Sequence, residues 1–154
     1  MGASPEVTTD LVARGLAHRA LLALALLCPL TMGALAFVLE PDARGYGTHE
    51  QLGLTACASM RYLDLPCPGC GVTTAVTLAY RGQPVKSLLT HPFGLLLAAA
   101  ALAGALWALV AHLRGRDLAR LLSGRKIAVL AKLGSAAWLL GWLYTLSCSW
   151  LGRG

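Results

Sequence analysis

The chain has 154 residues and a formal net charge of +6; 56% of its residues are hydrophobic and 13% are charged. An ordinary soluble domain is about 45–50% apolar and about 25% charged. So few polar side chains cannot cover the surface of a short soluble chain, and the high apolar content excludes a disordered one. The composition therefore predicts an integral membrane protein.

Three segments are long and apolar enough to cross a bilayer as helices, for which about 20 residues are needed. They are residues 20–39, 93–113 and 127–150. The first is longer than the apolar core of a signal peptide, which spans about 7–15 residues. We predict an all-α membrane protein with about three transmembrane helices and one short interfacial or re-entrant helix.

The distribution of Lys and Arg predicts the orientation, since these residues concentrate in cytoplasmic loops. The loop 114–126 contains a basic cluster made of Arg114, Arg116, Arg120, Arg125 and Lys126. Arg14 and Arg19, in residues 1–19, fall on the same side. We expect a cytoplasmic N-terminal tail and loop, an outer segment 40–92 and an outer C-terminus. Binding of anionic lipid or nucleic acid by the loop is the less favoured interpretation, and we expect no nucleic-acid partner.

Small residues recur four positions apart in the second and third spans, a spacing that lets helix backbones approach closely. The pairs are Gly94 with Ala98, Ala101 with Ala105, and Ala137 with Gly141. The pattern favours packing within the chain and leaves open a contact with a second copy or another membrane protein. The lipid bilayer is the other expected partner.

The outer segment carries the motif Pro66-Cys67-Pro68-Gly69-Cys70-Gly71, with Thr73 two residues further on. A helix is predicted over residues 72–81, because polar Thr73, Thr77 and Arg81 fall opposite apolar Val72, Val76 and Tyr80. We expect this helix to lie in the outer interface or to dip into it and return. Residues 51–65 are a weaker candidate helix.

Two cysteines three positions apart at a turn can reach each other, and a helix N-terminus stabilises a thiolate. Cys67 and Cys70 are therefore a candidate redox pair, with Cys67 as the nucleophile. The same two thiolates could instead form half of a metal site, for which Cys57 and His91 are candidate additional ligands. The favoured interpretation is structural, with the two cysteines pinning the loop. Cys57 and Cys148 are a further candidate crosslink between outer positions.

Other chemistry is not indicated by the sequence. It contains no G-x-S-x-G, H-E-x-x-H or phosphate-loop motif. None of the seven acidic residues lies within a span, which argues against a proton-coupled transporter. His18, Arg19 and His112 are most simply flanks at the membrane interface.

From Cys67 to Thr73, and then at Arg81-Gly82 and Pro92, the sequence resembles a bacterial membrane-protein family known as domain of unknown function 2752. The resemblance covers residues 54–103. Members of this family share a pattern similar to C-P-x-C-G-x-T-R, followed by R-G-D and then by N-P before an apolar helix. This chain departs from that pattern at Thr74, Gln83 and His91. The resemblance implies a small bacterial membrane protein and no established activity.

We therefore predict a non-catalytic scaffold or accessory subunit of the bacterial cytoplasmic membrane, with a structural Cys-Pro-Gly-Cys turn. A thiol-redox or metal-binding protein that uses Cys67 and Cys70 is the first alternative, and a small transporter or channel component is the second. An enzyme is the less expected class. We expect no cofactor, and the alternative is a bound metal such as zinc.

Overall fold

The structure is a computed structural model that describes residues 15–122 and 124–152, and within these ranges its regular elements are all helices. In chain order they are α1 Leu16–Val38, a 3-10 helix Thr48–Leu52, α2 Ala58–Tyr62, α3 Val72–Tyr80, α4 Pro84–Thr90, α5 Pro92–Leu113, α6 Leu118–Leu121 and α7 Gly124–Leu151. The predicted all-α fold is confirmed. Arg14 and the rest of the predicted tail up to residue 14 lie outside the described residues.

Three of the helices, α1, α5 and α7, are long and apolar enough to cross a membrane. They contain 23, 22 and 28 residues, and a helix rises about 1.5 Å per residue. Large apolar side chains are exposed along all three, among them Leu24, Leu30, Leu106, Leu140 and Leu143. A bilayer would cover this surface, so the three helices indicate a membrane protein.

Side-chain contacts show which helix ends lie together. Arg81 Nε donates to Ala36 O at 2.8 Å, and Tyr144 Oη donates to Leu89 O at 2.9 Å. These contacts join the C-terminal parts of α1 and α7 to the segment 39–91, a region called here the cysteine end. His18 Nε2 lies 3.0 Å from His112 Nδ1, which joins the opposite ends of α1 and α5. That region, with loop 114–126, is called the basic end.

Helix α3 is the core of the cysteine end, because α1, α4, α5 and the 3-10 helix all pack against it. The predicted polar face of α3 is partly covered by its neighbours: Thr73 and Arg81 are half-buried, and Thr77 is buried. Thr74 and Thr77 are buried, and Thr74 Oγ1 lies 2.8 Å from Thr48 Oγ1. Neighbouring helices surround α3, so Thr74 hydrogen-bonds within the protein instead of facing water. Ser87 Oγ on α4 likewise donates to Ala75 O at 2.7 Å.

Glycines allow two of the close helix contacts. A Cβ at Gly94 would lie 2.5 Å from Ala75 Cβ, so only glycine lets α5 approach α3 this closely. A Cβ at Gly141 would lie 2.6 Å from His91 Cε1, so glycine is likewise required for α7 to approach His91 this closely. Each of these two predicted small-residue positions thus packs within the chain.

Two further expectations need correction. The candidate helix 51–65 is divided: the 3-10 helix ends at Gly53, whose φ is +77°, and α2 begins only at Ala58. A left-handed residue stops a right-handed helix, and glycine adopts it at little cost. His18 is not an exposed flank. It is 1% exposed and accepts a hydrogen bond from the Leu118 N–H through Nδ1 at 3.0 Å.

Candidate metal centre

The Cys-Pro-Gly-Cys motif forms a tight turn directly before α3. The Cys70 N–H donates to Cys67 O at 3.0 Å, and the Val72 N–H donates to Gly69 O at 3.2 Å. Gly71 then takes a φ of +91° and starts α3. A Cβ on Gly71 would lie 3.1 Å from Gly45 O, so both its backbone angle and its crowding require glycine. The turn therefore holds Cys67 and Cys70 on the same side.

A third thiol joins these two from a different part of the chain. Cys67 Sγ lies 3.0 Å from Cys70 Sγ, and Cys70 Sγ lies 3.3 Å from Cys57 Sγ. All three sulfur atoms are within 4.8 Å of one another. Cys57 is the residue that precedes α2, so its position does not follow from the turn. We call Cys57, Cys67 and Cys70 the thiol cluster.

The three thiols differ in burial and in acidity. Cys70 is buried, whereas Cys57 and Cys67 are half-buried. Burial raises the pKa of the Cys70 thiol well above its usual range, and its hydrogen bonds to Cys67 and Cys57 act in the same direction. Burial also opposes ionisation of Cys57, but hydrogen bonds from the Met60 N–H and from the Cys70 thiol lower the pKa of Cys57 to about 7. Cys57 is thus ionised more readily than Cys70.

Hydrogen bonds hold in place the two chain segments that carry the cluster, one containing Cys57 and the other leading into Cys67. Trp142 Nε1 on α7 donates to Pro66 O at 2.9 Å, immediately before Cys67. Ser59 Oγ donates to Leu65 O at 2.8 Å and so ties α2 to the residues that lead into the motif. The cluster is therefore supported from α7 and from α2.

The remaining predicted site residues lie elsewhere. His91 was a candidate metal ligand, but in the part of the chain that the structure describes only the three cysteines form a ligand group. His91 is fully buried beside Phe93 and Gly141. The candidate Cys57–Cys148 crosslink is not present: all five cysteines carry free thiols, and Cys57 instead contacts Cys70. Thr73 is half-buried at the first turn of α3.

Local sequence could not show that Cys57 completes the cluster. It lies ten positions before Cys67, and neither a metal-binding spacing nor a helical period relates the two. Its position depends on the break at Gly53 and on the contact between Ser59 and Leu65, which are features of the folded loop.

The fold and site define a membrane protein with three candidate spans and a thiol cluster at one end. Comparison with protein families gives one match: residues 57–105 resemble the family described as protein of unknown function (DUF2752). The matched region begins at Cys57, so it contains the whole thiol cluster, α3, α4 and the first part of α5. The resemblance inferred from the motif is thereby confirmed for this third of the chain. Curated proteins and solved structures give no significant match.

Proposed function

We propose that this chain is a metal-binding membrane protein whose thiol cluster holds one thiophilic metal ion. The observation that carries the proposal is the convergence of three cysteine sulfurs within 4.8 Å of one another. Thiolates are the preferred protein ligands of zinc, copper(I) and iron–sulfur centres. This function replaces the purely structural turn as the one that the geometry supports best.

The third thiol favours a metal over a disulfide pin. A disulfide between Cys67 and Cys70 would use two sulfurs and leave Cys57 Sγ, 3.3 Å from Cys70 Sγ, without a covalent role. A metal ion uses all three. Without metal, burial and the two neighbouring thiols disfavour the ionised form of Cys70. A bound metal would overcome this effect, because a coordinated thiol is deprotonated outright.

The charge state of the cluster suits stepwise binding. With a pKa of about 7, Cys57 is partly ionised at neutral pH and provides a first thiolate for an incoming cation. Cys70 loses its proton only when the metal arrives, since burial raises the pKa of its thiol. Without metal, the three sulfurs therefore carry too little negative charge to destabilise the fold. When metal binds, they lose their protons and become anionic ligands.

We place the protein in the bacterial cytoplasmic membrane with the basic end in the cytoplasm. Arg114 and Arg116 follow the end of α5, and Arg120 lies within α6, where the positive-inside rule expects basic residues on the cytoplasmic side. The thiol cluster would then face the outside. A metal centre of this kind is compatible with a non-enzymatic accessory subunit, because no step of chemistry is needed for binding.

A thiol-redox function is the second candidate, and one observation favours it. Cys67 Sγ and Cys70 Sγ are 3.0 Å apart, close enough to form a disulfide with little movement, while Cys57 supplies a thiolate beside them. In that case Cys57 would exchange with a Cys67–Cys70 disulfide, and metal would not be retained.

Metal analysis of the purified protein tests the proposal. The full chain is extracted and purified in detergent without oxygen, and its zinc, copper and iron are measured by mass spectrometry. Co²⁺ is then titrated into the metal-free protein, and the sulfur-to-metal charge-transfer band is recorded. We expect one equivalent of metal and a band intensity typical of three thiolates.

Serine variants complete the test. Cys57→Ser, Cys67→Ser and Cys70→Ser should each weaken the band and the retention of metal, whereas the matched Cys28→Ser variant, altered within α1, should behave as the wild type. Circular dichroism and gel filtration verify that each variant is folded. A Cys57→Ser protein that still binds metal as the wild type does would contradict the proposal.

A further inference from the structure

A cleft of about 770 Å³ lies at the cysteine end, between α7 and the loops of the segment 39–91. Cys70 lines this cleft, so the cleft leads to the thiol cluster. Two more sulfur-bearing side chains line it: Met60 from α2 and Cys148 from α7. Sulfur atoms from three separate elements thus border one space, of a volume typical of small-molecule sites.

The charges around the cleft do not suit a free cation. Three basic residues line it, and two acidic ones. They are Arg44, Arg81, Lys86, Asp42 and Asp64. Arg44 is ion-paired with Asp42 at 2.7 Å and with Glu50 at 3.0 Å, so the positive excess of the lining comes from Arg81 and Lys86 against Asp64. A small complex of negative charge fits this lining better than a bare metal ion does.

We propose that the cleft is the route by which Cu(I), delivered as an anionic thiolate complex, reaches the thiol cluster, with Met60 and Cys148 as transfer ligands. The inference rests on the proposed metal-binding function and names its metal. Thioether and thiolate sulfur together select Cu(I). Three sulfurs satisfy Cu(I), whereas a structural zinc site takes four ligands, and only three gather in the described part of the chain.

The transfer is a ligand exchange without redox chemistry. Met60 and Cys148 first each form a bond to copper as one bond between copper and a carrier thiolate breaks. Copper then exchanges these two bonds for bonds to cluster sulfurs, Cys148 takes back a proton, and the third cluster sulfur adds without a bond breaking. Copper stays Cu(I), so neither oxidant nor reductant is consumed. Each cysteine thiol that binds releases its proton to water, and each departing carrier thiolate takes up a proton. Met60 binds without a proton change, because a thioether carries none.

Loading kinetics test the route separately from the site. Without oxygen, the metal-free full chain in detergent is mixed with Cu(I) bound to the anionic chelator bathocuproine disulfonate, and the loss of the chelate colour is followed in time. The Met60→Leu/Cys148→Ser variant is compared with Met32→Leu/Cys28→Ser, which removes the same two kinds of sulfur from α1, away from the cleft.

We expect all three proteins to bind one equivalent of copper at equilibrium, and the Met60→Leu/Cys148→Ser variant to load about tenfold more slowly than the other two. Equal loading rates would overturn the route while leaving the site intact. Displacement of the bound copper by an equal concentration of Zn²⁺ would overturn the choice of metal. A Cys57→Ser/Cys67→Ser/Cys70→Ser variant that still takes up copper as the wild type does would overturn the proposed function itself.

Discussion

At the basic end, a chain of hydrogen bonds links His18, His112 and Leu118. At the cysteine end, the hydrogen-bond partners of the three cluster thiols are chiefly the other thiols of the cluster. His18 Nδ1 accepts from the Leu118 N–H, so its proton is on Nε2, which faces His112 Nδ1 at 3.0 Å. Asp117 Oδ1 accepts from the Ala119 N–H at 2.9 Å and caps α6. Buried His18 and its half-buried neighbours His112 and Asp117 are satisfied by the fold alone.

Buried groups at the cysteine end are less completely satisfied. Thiols are weak hydrogen-bond partners, and the three in the cluster lie closer together than packing alone requires. The ring nitrogens of buried His91 have no hydrogen-bond partner among residues 15–122 and 124–152. The comparison shows that the fold satisfies buried His18 at the basic end, whereas at the cysteine end it leaves buried groups that the proposed metal centre would in part satisfy.

The largest effect is expected from Cys57→Ser. Loss of one of three ligands should lower the affinity for Cu(I) by about 100-fold or more, since even residues that only support ligands contribute about 10–100-fold. Competition with a chelator of known affinity measures this. A metal site made by Cys67 and Cys70 alone would not need Cys57, so an unchanged affinity would contradict the three-thiol site and remove the contrast between the two ends.

Replacing His18 should destabilise the protein without affecting metal binding. His18→Ala leaves the buried Leu118 N–H without its partner, removes the hydrogen bond to half-buried His112 and opens a cavity, which should lower the free energy of unfolding by about 2–3 kcal/mol. Unfolding in mixed micelles measures the change. The control His49→Ala, at a histidine that is only half-buried, should cost about 0.5 kcal/mol or less. A loss of metal in His18→Ala would show that the ends are coupled.

Metal affinity at the cysteine end should rise with pH. In the metal-free protein the Cys70 thiol is protonated at neutral pH, because burial raises its pKa, and binding must release that proton. The apparent dissociation constant should therefore fall about tenfold per pH unit for each proton released. Below pH 7 the slope should steepen, as Cys57, with a pKa of about 7, also becomes protonated. An affinity independent of pH would contradict binding through thiolates.

The smallest effect is expected where α7 supports the motif. Trp142→Phe removes the indole N–H that donates to Pro66 O at 2.9 Å, and should lower the free energy of unfolding by about 1 kcal/mol. Trp138→Phe, at a more exposed position of α7, is the matched control. If both variants have the same stability, α7 does not support the cluster through this bond.

Much of the architecture was predictable because it depends on local properties. Length and apolar content alone indicate three membrane helices, and the structure has three helices that meet these criteria. The helix after the Cys-Pro-Gly-Cys turn follows from spacing and from the stop at Gly82, and α3 runs from Val72 to Tyr80.

Contacts between distant segments were not predictable. Thr77 lies on the polar face of α3 taken alone, but it is buried in the fold, where α1, α4 and α5 pack against α3. His18 and His112 are 94 residues apart, so no local pattern pairs them. The same holds for Cys57, whose place beside Cys70 depends on how the loop folds.

The state of the cluster thiols in native membranes tests the central claim most directly. Membranes are treated with a maleimide that adds mass, with and without a copper(I) chelator and with and without a reductant, in wild type and in a Cys28→Ser/Cys148→Ser variant that keeps only the cluster. The metal-centre account predicts three labelled thiols only after the chelator, with no effect of reductant alone. Labelling of Cys67 and Cys70 that requires reductant, with Cys57 labelled throughout, would contradict it and establish a disulfide.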